Sequence, residues 1–367
     1  MDAQAREEKL SIQYEAKRGM EMKIVVLAGG TSTEREVSIV SGTGICHALR
    51  SKGHLAILVD VFFGLEEIDR ENLFPEEYDV DGAAEAMRAK SAGLSKALDE
   101  RKSFWGPHVL ELCDAADFVF LGLHGMNGED GRVQATFDLM GIRYSGAGYL
   151  SSGLAMDKSL TKQFFHMNGI PTPRGITLDV NSTIVAPRQL GLSFPLVVKT
   201  CRGGSSVGVF IVRDEREYTG ALRDAFALEE QVIVEEYIEG RELTDAVVDG
   251  KAYPVVEIAP VSGFYDYKNK YEPGATVETC PAKLSAEVTR RVQELSVRAA
   301  HALNIEGYCR MDFILRPDGE LFCLEINTLP GMTPTSLIPQ EAKALGMEYP
   351  DLCEELIRVS LRKYGVE

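Results

Sequence analysis

The sequence predicts an α/β protein of two or three domains, because apolar runs and helical patterns alternate along its 367 residues. The apolar run 23–28 ends in Gly29-Gly30, which is typical of a buried strand followed by a tight turn. Strands expected at 55–63 and 118–123 complete a parallel sheet. The closely spaced apolar runs within 196–234, which flank a Gly-rich turn, indicate a small antiparallel sheet.

The composition excludes some classes of partner. The net charge of -17 argues against non-specific binding to nucleic acid or to anionic membranes, which requires basic patches. No apolar run reaches the roughly 18 residues of a membrane helix, and the charged segment 1–21 lacks the apolar core of a secretory signal. We therefore expect a cytoplasmic protein with a charged N-terminal tail and seven reduced cysteines.

We divide the remaining chain into three units. The first is an N-terminal α/β domain at 22–145, interrupted at about 64–110 by a polar segment that we interpret as an insertion. The second unit is 146–239 and the third is 240–367. Helices are expected where apolar residues recur every three or four positions. These patterns are Thr33 to Leu49, with Thr33 and Glu36 as a capping box and Val37, Val40, Ile45, Ala48 and Leu49 in the apolar stripe; Ala83 to Leu98; Lys158 to Asn168; Val288 to Leu303; and Asp351 to Gly365.

A hairpin near the end of the chain carries the clearest chemical pattern. Two apolar runs are joined by Pro317-Asp318-Gly319, and Asp-Gly between such runs is a hairpin signal. Pairing the runs brings Asp312 near Glu325 and Asn327, with Arg310 as a cation beside them. Two carboxylates and a carboxamide are hard oxygen ligands that suit Mg²⁺. The alternative is an ordinary hairpin with polar ends.

Three other segments have the character of a nucleotide site. The loop 199–208 begins with a lysine and continues with Gly and Ser, which let backbone N–H groups approach a phosphate. The run 232–238 is expected to leave its sheet as an extended linker that reads an adenine edge, followed by Glu242 for the ribose. The aromatic and basic segment 264–274 is typical of a lid. Each segment also has a plainer interpretation. The loop 199–208 would be a flexible hairpin loop, the acidic residues of 232–242 would be solvated, and 264–274 would be an ordinary surface loop.

Together and in this order, these motifs resemble the ATP-grasp superfamily and specifically the D-alanine–D-alanine ligases. The resemblance covers nearly the whole chain from Met22 onward. The segments that carry it are 29–38, 123–125, 128–131, 156–158, 199–208, 265–271, 310–312 and 325–337. It implies an ATP-grasp fold, in which an N-terminal parallel α/β (pre-ATP-grasp) domain precedes two α+β ATP-grasp lobes.

The resemblance also implies a reaction. ATP phosphorylates the carboxylate of one D-alanine, and the amine of a second attacks the acylphosphate. The products are D-alanyl-D-alanine for peptidoglycan precursors, ADP and phosphate. The implied ligands of two Mg²⁺ (or Mn²⁺) are Asp312, Glu325 and Asn327. The implied ATP-binding residues are Lys158, Lys199, Glu235, Glu236 through its carbonyl, Ile238 through its amide, Glu242, Phe264 and Lys270.

Family resemblance likewise assigns the substrate site. The implied catalytic residues are Glu34, Ser205, Arg310, Tyr271 and Ser336, and the implied substrate contacts are Glu34, His124, Arg310, Gly331, Ser336 and Leu337. Glu34 would bind the ammonium of the first D-alanine, and Arg310 with the Gly331 amide would stabilise the oxyanion. Ser336 would receive the carboxylate of the second D-alanine. The acceptor of the amine proton stays open between Tyr271 and a water.

The choice of second substrate rests on two places. Lys270-Tyr271 favours an amine over a hydroxyl acid, and Leu337 favours D-alanine over D-serine. The alternatives are a D-Ala-D-Ser ligase, a glutathione-synthetase-like ligase and a non-catalytic nucleotide-binding protein. An oxidoreductase is disfavoured because the Gly29-Gly30 turn lacks a third glycine. The family also implies a homodimer formed through the first domain.

Overall fold

A computed structural model of the protein describes residues 21–182, 186–204, 207–260 and 275–366. Within these ranges the chain forms three β-sheets with helices packed on their faces. None of the helices there has both the length and the apolar character needed to cross a membrane.

The first sheet is parallel, with the order β2-β1-β3. It is formed by β1 (Lys23–Ala28), β2 (Leu55–Asp60) and β3 (Phe118–Leu121), so the predicted parallel sheet is confirmed and its second and third strands are shorter than expected. The chain leaves β1 through Gly29 and Gly30 at φ values of 77° and 81°, a region that favours glycine.

The first helix, α1 (Arg35–Ser51), begins without the predicted capping box. Its N-cap residue is Glu34, and no side chain caps the first turn. Ile45, Ala48 and Leu49 are buried as predicted, whereas Val40 is 41% exposed. Small residues such as Gly42 complete the buried face. A Cβ atom on Gly42 would lie 2.6 Å from that of Ala28, so a larger residue would push the helix away from β1.

The segment 64–110 adds helices to the first unit. They are α2 (Val80–Ser91), α3 (Leu94–Glu100) and, just beyond it, α4 (Val109–Ala115), so the single helix predicted within 83–98 is two helices. Val80, Ala84 and Met87 of α2 are buried against α1, and the ring of Trp105 lies 5.5 Å from that of Phe137. The segment therefore contributes to the hydrophobic core of the first unit.

The second sheet is antiparallel, as predicted, with the order β4-β7-β5-β6. Its elements are β4 (Gly175–Asp179), β5 (Leu196–Thr200), β6 (Val209–Val212), α8 (Glu215–Phe226) and β7 (Gln231–Glu236), of which β4 was not predicted. Three helices precede it, namely α5 (Arg132–Met140), α6 (Tyr149–Met156) and α7 (Lys158–Met167). Ala155 of α6 and Phe165 of α7 are buried in the core of the third unit.

The third sheet has the order β11-β10-β8-β12-β13, with β9 paired to β8. Its elements are β8 (Arg241–Val248), β9 (Lys251–Ala252), β10 (Val256–Pro260), β11 (Thr276–Thr279), α9 (Ala286–Ala302), β12 (Tyr308–Leu315) and β13 (Leu321–Asn327). Two helices follow, α10 (Leu337–Ala344) and α11 (Tyr349–Leu361). Leu352 and Leu356 of α11 are fully buried in the core around α1, so the chain end returns to the first unit.

A buried acid lies in the third sheet. Asp245 on β8 has no exposed surface, and burial raises the pKa of its carboxyl to about 8, against the opposing effect of the Ser296 hydroxyl. Burial and Asp245 together raise the pKa of Glu341 on α10 as well. An acid with a raised pKa keeps its proton in the folded chain at a pH where the unfolded chain has lost it.

The stability of the protein should therefore depend on pH through Asp245. Its contribution is fully present below the unfolded pKa of about 4 and is lost as the pH rises towards 8. Asp245→Asn should make the decline between pH 5 and 8 shallower by up to about 1.4 kcal/mol per pH unit, as measured by urea unfolding. Asp114→Asn, exposed on α4, is the control; equal slopes in all three proteins would contradict the prediction.

Candidate functional site

Two adjoining cavities lie between the sheets. One has a volume of about 570 Å³ and the other about 420 Å³. Lys158, Gly203, Gly204 and Glu325 line both cavities, so they form one continuous cleft. The cleft has contributions from all three units of the chain.

The β12–β13 hairpin forms the floor where the cavities meet. Asp312 pairs directly with Glu325, and Arg310 pairs with Asn327. Residues that are opposite each other or two apart on paired strands share a face, so all four side chains project from the same side. The predicted hairpin and its grouping of polar residues are confirmed.

Cations balance both carboxylates of this hairpin. The guanidinium of Arg310 donates to Asp312 at 2.9 Å from both Nε and Nη2. Lys158 Nζ lies 3.3 Å from Glu325 Oε2 and donates to the Gly203 carbonyl at 2.6 Å. Burial lowers the pKa of Lys158, but the Glu325 carboxylate more than compensates and leaves it raised.

The oxygens on this face fit a divalent cation. Asp312 Oδ1 also accepts a hydrogen bond of 2.7 Å from the Thr244 hydroxyl, which fixes the carboxylate, and Asn327 Oδ1 accepts one of 3.0 Å from the Leu329 amide. Carboxylate and carboxamide oxygens are the donors that Mg²⁺ and Mn²⁺ prefer. Arg310 and Lys158 are charge-balancing partners that such a cation would replace.

The smaller cavity has the character of a nucleotide site. Apolar side chains from both flanking sheets line it, among them Val197 and Leu324, and Lys199 supplies positive charge. The strand β7 ends at Glu236, and the next residues, past Ile238, belong to no helix or strand before β8 begins at Arg241. Glu236, Ile238 and Glu242 all lie in the cavity wall.

Glu235 is a buried, charged residue of this wall. Its carboxylate accepts hydrogen bonds from Lys162 Nζ at 2.7 Å, and its other oxygen lies 2.5 Å from Lys199 Nζ. Burial opposes ionisation, but the two lysines lower the pKa of Glu235 below its usual value. The sequence reasoning assigned no role to Lys162, although it lies four residues after Lys158 on the same helix.

The larger cavity contains the residues that the family resemblance assigned to the substrates. Those among the described residues that line it are Glu34, His124, Arg310, Gly331, Ser336 and Leu337. Ser336 is the N-cap of α10, and its Oγ accepts a hydrogen bond of 3.0 Å from the Thr333 amide. A helix N-terminus that opens into a cavity favours an anionic ligand.

His124 holds the wall of this cavity together. Its Nδ1 donates to the Leu329 carbonyl at 3.0 Å, because a carbonyl can only accept, and its Nε2 therefore accepts from the Ser41 hydroxyl at 3.0 Å. Burial lowers the pKa of His124, which favours the neutral ring. The ring thus joins α1 to the loop that contains Gly331.

Glu129 is a further acid of this cavity to which the sequence reasoning gave no role. Burial and the nearby Glu34 raise its pKa to about 8. The signal was available, because Glu129 belongs to the segment 128–131 that carries part of the family resemblance.

Four of the predicted site residues lie outside the described residues, namely Ser205, Phe264, Lys270 and Tyr271.

Comparison with known proteins gives a consistent result. Residues 23–147 match the family described as D-ala D-ala ligase N-terminus, and residues 169–358 match D-ala D-ala ligase C-terminus. The chain belongs to the D-alanine–D-alanine ligase family. The ligase of Pediococcus pentosaceus is 41% identical over 343 residues, which cover 92% of this chain and 97% of that relative. The ligase of Lacticaseibacillus casei is 40% identical over 359 residues, covering 94% and 97%.

Solved structures of the D-alanine–D-alanine ligase family share the fold. The Bacillus anthracis ligase superposes with a TM-score of 0.72 at 34% identity, covering 94% of this chain and 99% of that one. A second structure of that ligase was determined with ATP. A D-Ala:D-Ser ligase from Enterococcus faecalis also matches, with a TM-score of 0.73 at 30% identity over 93% of this chain and all of that one. The predicted ATP-grasp fold is confirmed.

Proposed function

We propose that this protein joins two D-alanines into D-alanyl-D-alanine at the expense of ATP, for peptidoglycan precursor synthesis. The observation that carries the proposal is the face of the β12–β13 hairpin, where Asp312 and Glu325 meet the cations Arg310 and Lys158 between two cavities. One cavity suits a nucleotide and the other suits small zwitterions, so the reacting groups meet above the hairpin.

The chemistry proceeds in two transfers. The γ-phosphoryl group of ATP moves to a carboxylate oxygen of the first D-alanine as the bond between its phosphorus and the β–γ bridging oxygen breaks, and ADP is the leaving group. The amine of the second D-alanine then attacks the acyl carbon, the carbon–oxygen bond to phosphate breaks, and the amine loses a proton. Lys158 and Lys199 reduce repulsion among the phosphate oxygens, and Arg310 stabilises the oxyanion on the acyl carbon.

The substrates are oriented by the walls of the larger cavity. Glu34 binds the ammonium of the first D-alanine, and the N-terminus of α10 at Ser336 receives the carboxylate of the second. Because His124 uses both ring nitrogens within the protein, its role is to position the loop containing Gly331. The Gly331 amide then shares the oxyanion with Arg310.

The proposed function includes two divalent cations, Mg²⁺ or Mn²⁺, held by Asp312, Glu325 and Asn327. When bound, they neutralise the charge on the transferring phosphoryl group and orient it. The shared face of the three side chains and their oxygen donors support this assignment. The divalent cations would replace Arg310 and Lys158 as partners of the two carboxylates. The side chains of Arg310 and Lys158 would then be directed at the substrates.

Glu325→Gln should therefore lower D-alanine-dependent phosphate release by about 100-fold or more, since a carboxamide carries no charge for the cation. The matched control is Glu320→Gln, at the exposed end of the same hairpin, which should keep its activity. Phosphate release is measured at saturating ATP over a range of Mg²⁺ concentrations. Near-normal turnover of Glu325→Gln at low Mg²⁺ would refute the metal assignment.

The second substrate is D-alanine in this proposal. Leu337 is only 6% exposed and lines the cavity beside Ser336, where an apolar side chain favours a methyl group over a hydroxymethyl group. Lys270 and Tyr271, which favour an amine nucleophile by family resemblance, lie outside the described residues. The alternative is a D-Ala-D-Ser ligase, and the structural match to such an enzyme makes a direct test necessary.

The test offers D-alanine, D-serine, D-lactate and L-alanine singly and in pairs, and measures phosphate release and product mass. We expect D-alanine alone to suffice and to yield D-alanyl-D-alanine. Phosphate release only with D-alanine and D-serine together would show that D-serine, and not D-alanine, is the second substrate. Release with none of the four would contradict the proposed function and favour a glutathione-synthetase-like ligase or a binding protein.

We further propose a cytoplasmic homodimer. All seven cysteines are free, as in a reducing compartment, which supports the cytoplasmic location.

Apolar side chains that could form the dimer interface are exposed on the adjacent helices α5 and α6 of the first and second units, with Leu139 91% exposed and Leu150 61% exposed. Light scattering should give twice the chain mass of 40.4 kDa, and Leu139→Asp should shift it towards the monomer. A monomeric native protein would refute the dimer.

A further inference from the structure

Lys162 is a buried lysine with no contact to either cavity. It lies on α7, one helical turn after Lys158, and its side chain is 8% exposed. Its Nζ donates to the Thr172 hydroxyl at 3.0 Å, the Pro173 carbonyl at 2.6 Å and Glu235 Oε2 at 2.7 Å. Three acceptors match the three donors of an ammonium group, so the position of Nζ is fully determined.

Glu235 connects Lys162 to the nucleotide cavity. Its second oxygen lies 2.5 Å from Nζ of Lys199, and both Glu235 and Lys199 line that cavity. Lys162 is therefore linked to a nucleotide in that cavity through contacts with Glu235 and then Lys199. All three side chains are at most 8% exposed, so their charges are poorly screened by water.

Lys162, Lys199 and Glu235 together carry one net positive charge, because two lysines share one carboxylate. Without Lys162, Glu235 would neutralise Lys199 completely, and the phosphate end of the cavity would lose a cation. Burial and the nearby Lys199 lower the pKa of Lys162, while Glu235 opposes this, so the ammonium depends on the carboxylate as well.

We propose that Lys162 is a positioning residue for the triphosphate: it holds and partly neutralises Glu235, so that Lys199 keeps a net positive charge towards the nucleotide phosphates. The inference rests on the proposed function for the identity of the nucleotide. The positive charge on Lys199 attracts the phosphates of a nucleotide, whereas adenine and ribose are uncharged. Lys162 should therefore raise the affinity for ligands that carry phosphate and leave the affinity for adenosine unchanged.

The effect is measurable as the ratio of ADP affinity to adenosine affinity. Lys162→Met keeps most of the side-chain volume and removes the charge, and it should lower this ratio about tenfold, the size expected for one charge-assisted interaction. In steady-state kinetics, KM for ATP should rise while KM for D-alanine changes little. A loss of packing alone would weaken ADP and adenosine equally.

Two further variants separate charge from packing. The double variant Lys162→Met with Glu235→Gln restores one net positive charge at Lys199, and its ratio should return towards that of the native protein. Lys162→Arg keeps the charge and should keep the ratio. Thr172→Val removes another partner of Lys162 without changing any charge, and it is the matched control.

Titration calorimetry of the full chain with ADP and with adenosine decides the matter, with circular dichroism to verify folding. If Lys162→Met does not fold, Lys162→Gln, which also removes the charge, takes its place with the same expected loss. A native ratio in Lys162→Met, or no recovery in the double variant, would overturn the inference. A native protein that binds ADP but forms no D-alanyl-D-alanine would instead refute the proposed function alone.

Discussion

Opposite charges held at close range in one cleft are the interactions on which the rest of this structure depends. Asp312 and Arg310 form a two-point pair, and Glu325 faces Lys158 across the junction of the cavities. A buried charge without a partner is strongly destabilising, so each of these cations is held by its carboxylate. The same cations suit phosphate and carboxylate ligands, which explains how a chain of net charge -17 can bind anions.

The fold supplies these charges from distant parts of the sequence. Lys158 is the first residue of α7, whose N-cap Asp157 accepts hydrogen bonds from the Ser159 and Leu160 amides. Glu325 lies near the end of β13, in register with Asp312 on β12. The return of α11 to the core around α1 closes the arrangement, because it fixes the third unit against the first. A small shift of any one element would separate partners that must remain within hydrogen-bond distance.

Sequence reasoning predicted those parts of the fold that depend on local patterns. The β12–β13 hairpin was predictable because its turn and its four polar residues lie within 18 positions, 310–327. The capping box at Thr33 failed because the chain adopts another geometry at Glu34. On α1 the prediction is confirmed for Ile45, Ala48 and Leu49 and is wrong for Val40, because close approach to the sheet selects small residues such as Gly42 on the first half of the buried face.

Residues that act through long-range contacts were beyond the sequence. Nothing in the neighbourhood of Lys162 indicates that it meets Glu235, which is 73 positions away. His124 was expected to contact a substrate, and only the structure reveals that both its ring nitrogens bind protein groups. The Lys162–Glu235 pair forms within the second unit, and the His124–Leu329 contact joins the first unit to the third. Neither pairing is encoded in a short sequence pattern.

The central claim is that the hairpin face binds divalent cations together with a nucleotide. Electron paramagnetic resonance of Mn²⁺, titrated into the protein with ADP present, tests it most directly because it counts bound ions without turnover. The account predicts two bound Mn²⁺ per chain, and weaker binding in Asp312→Asn. No bound Mn²⁺ in the native protein, or unchanged binding in the variant, would contradict it.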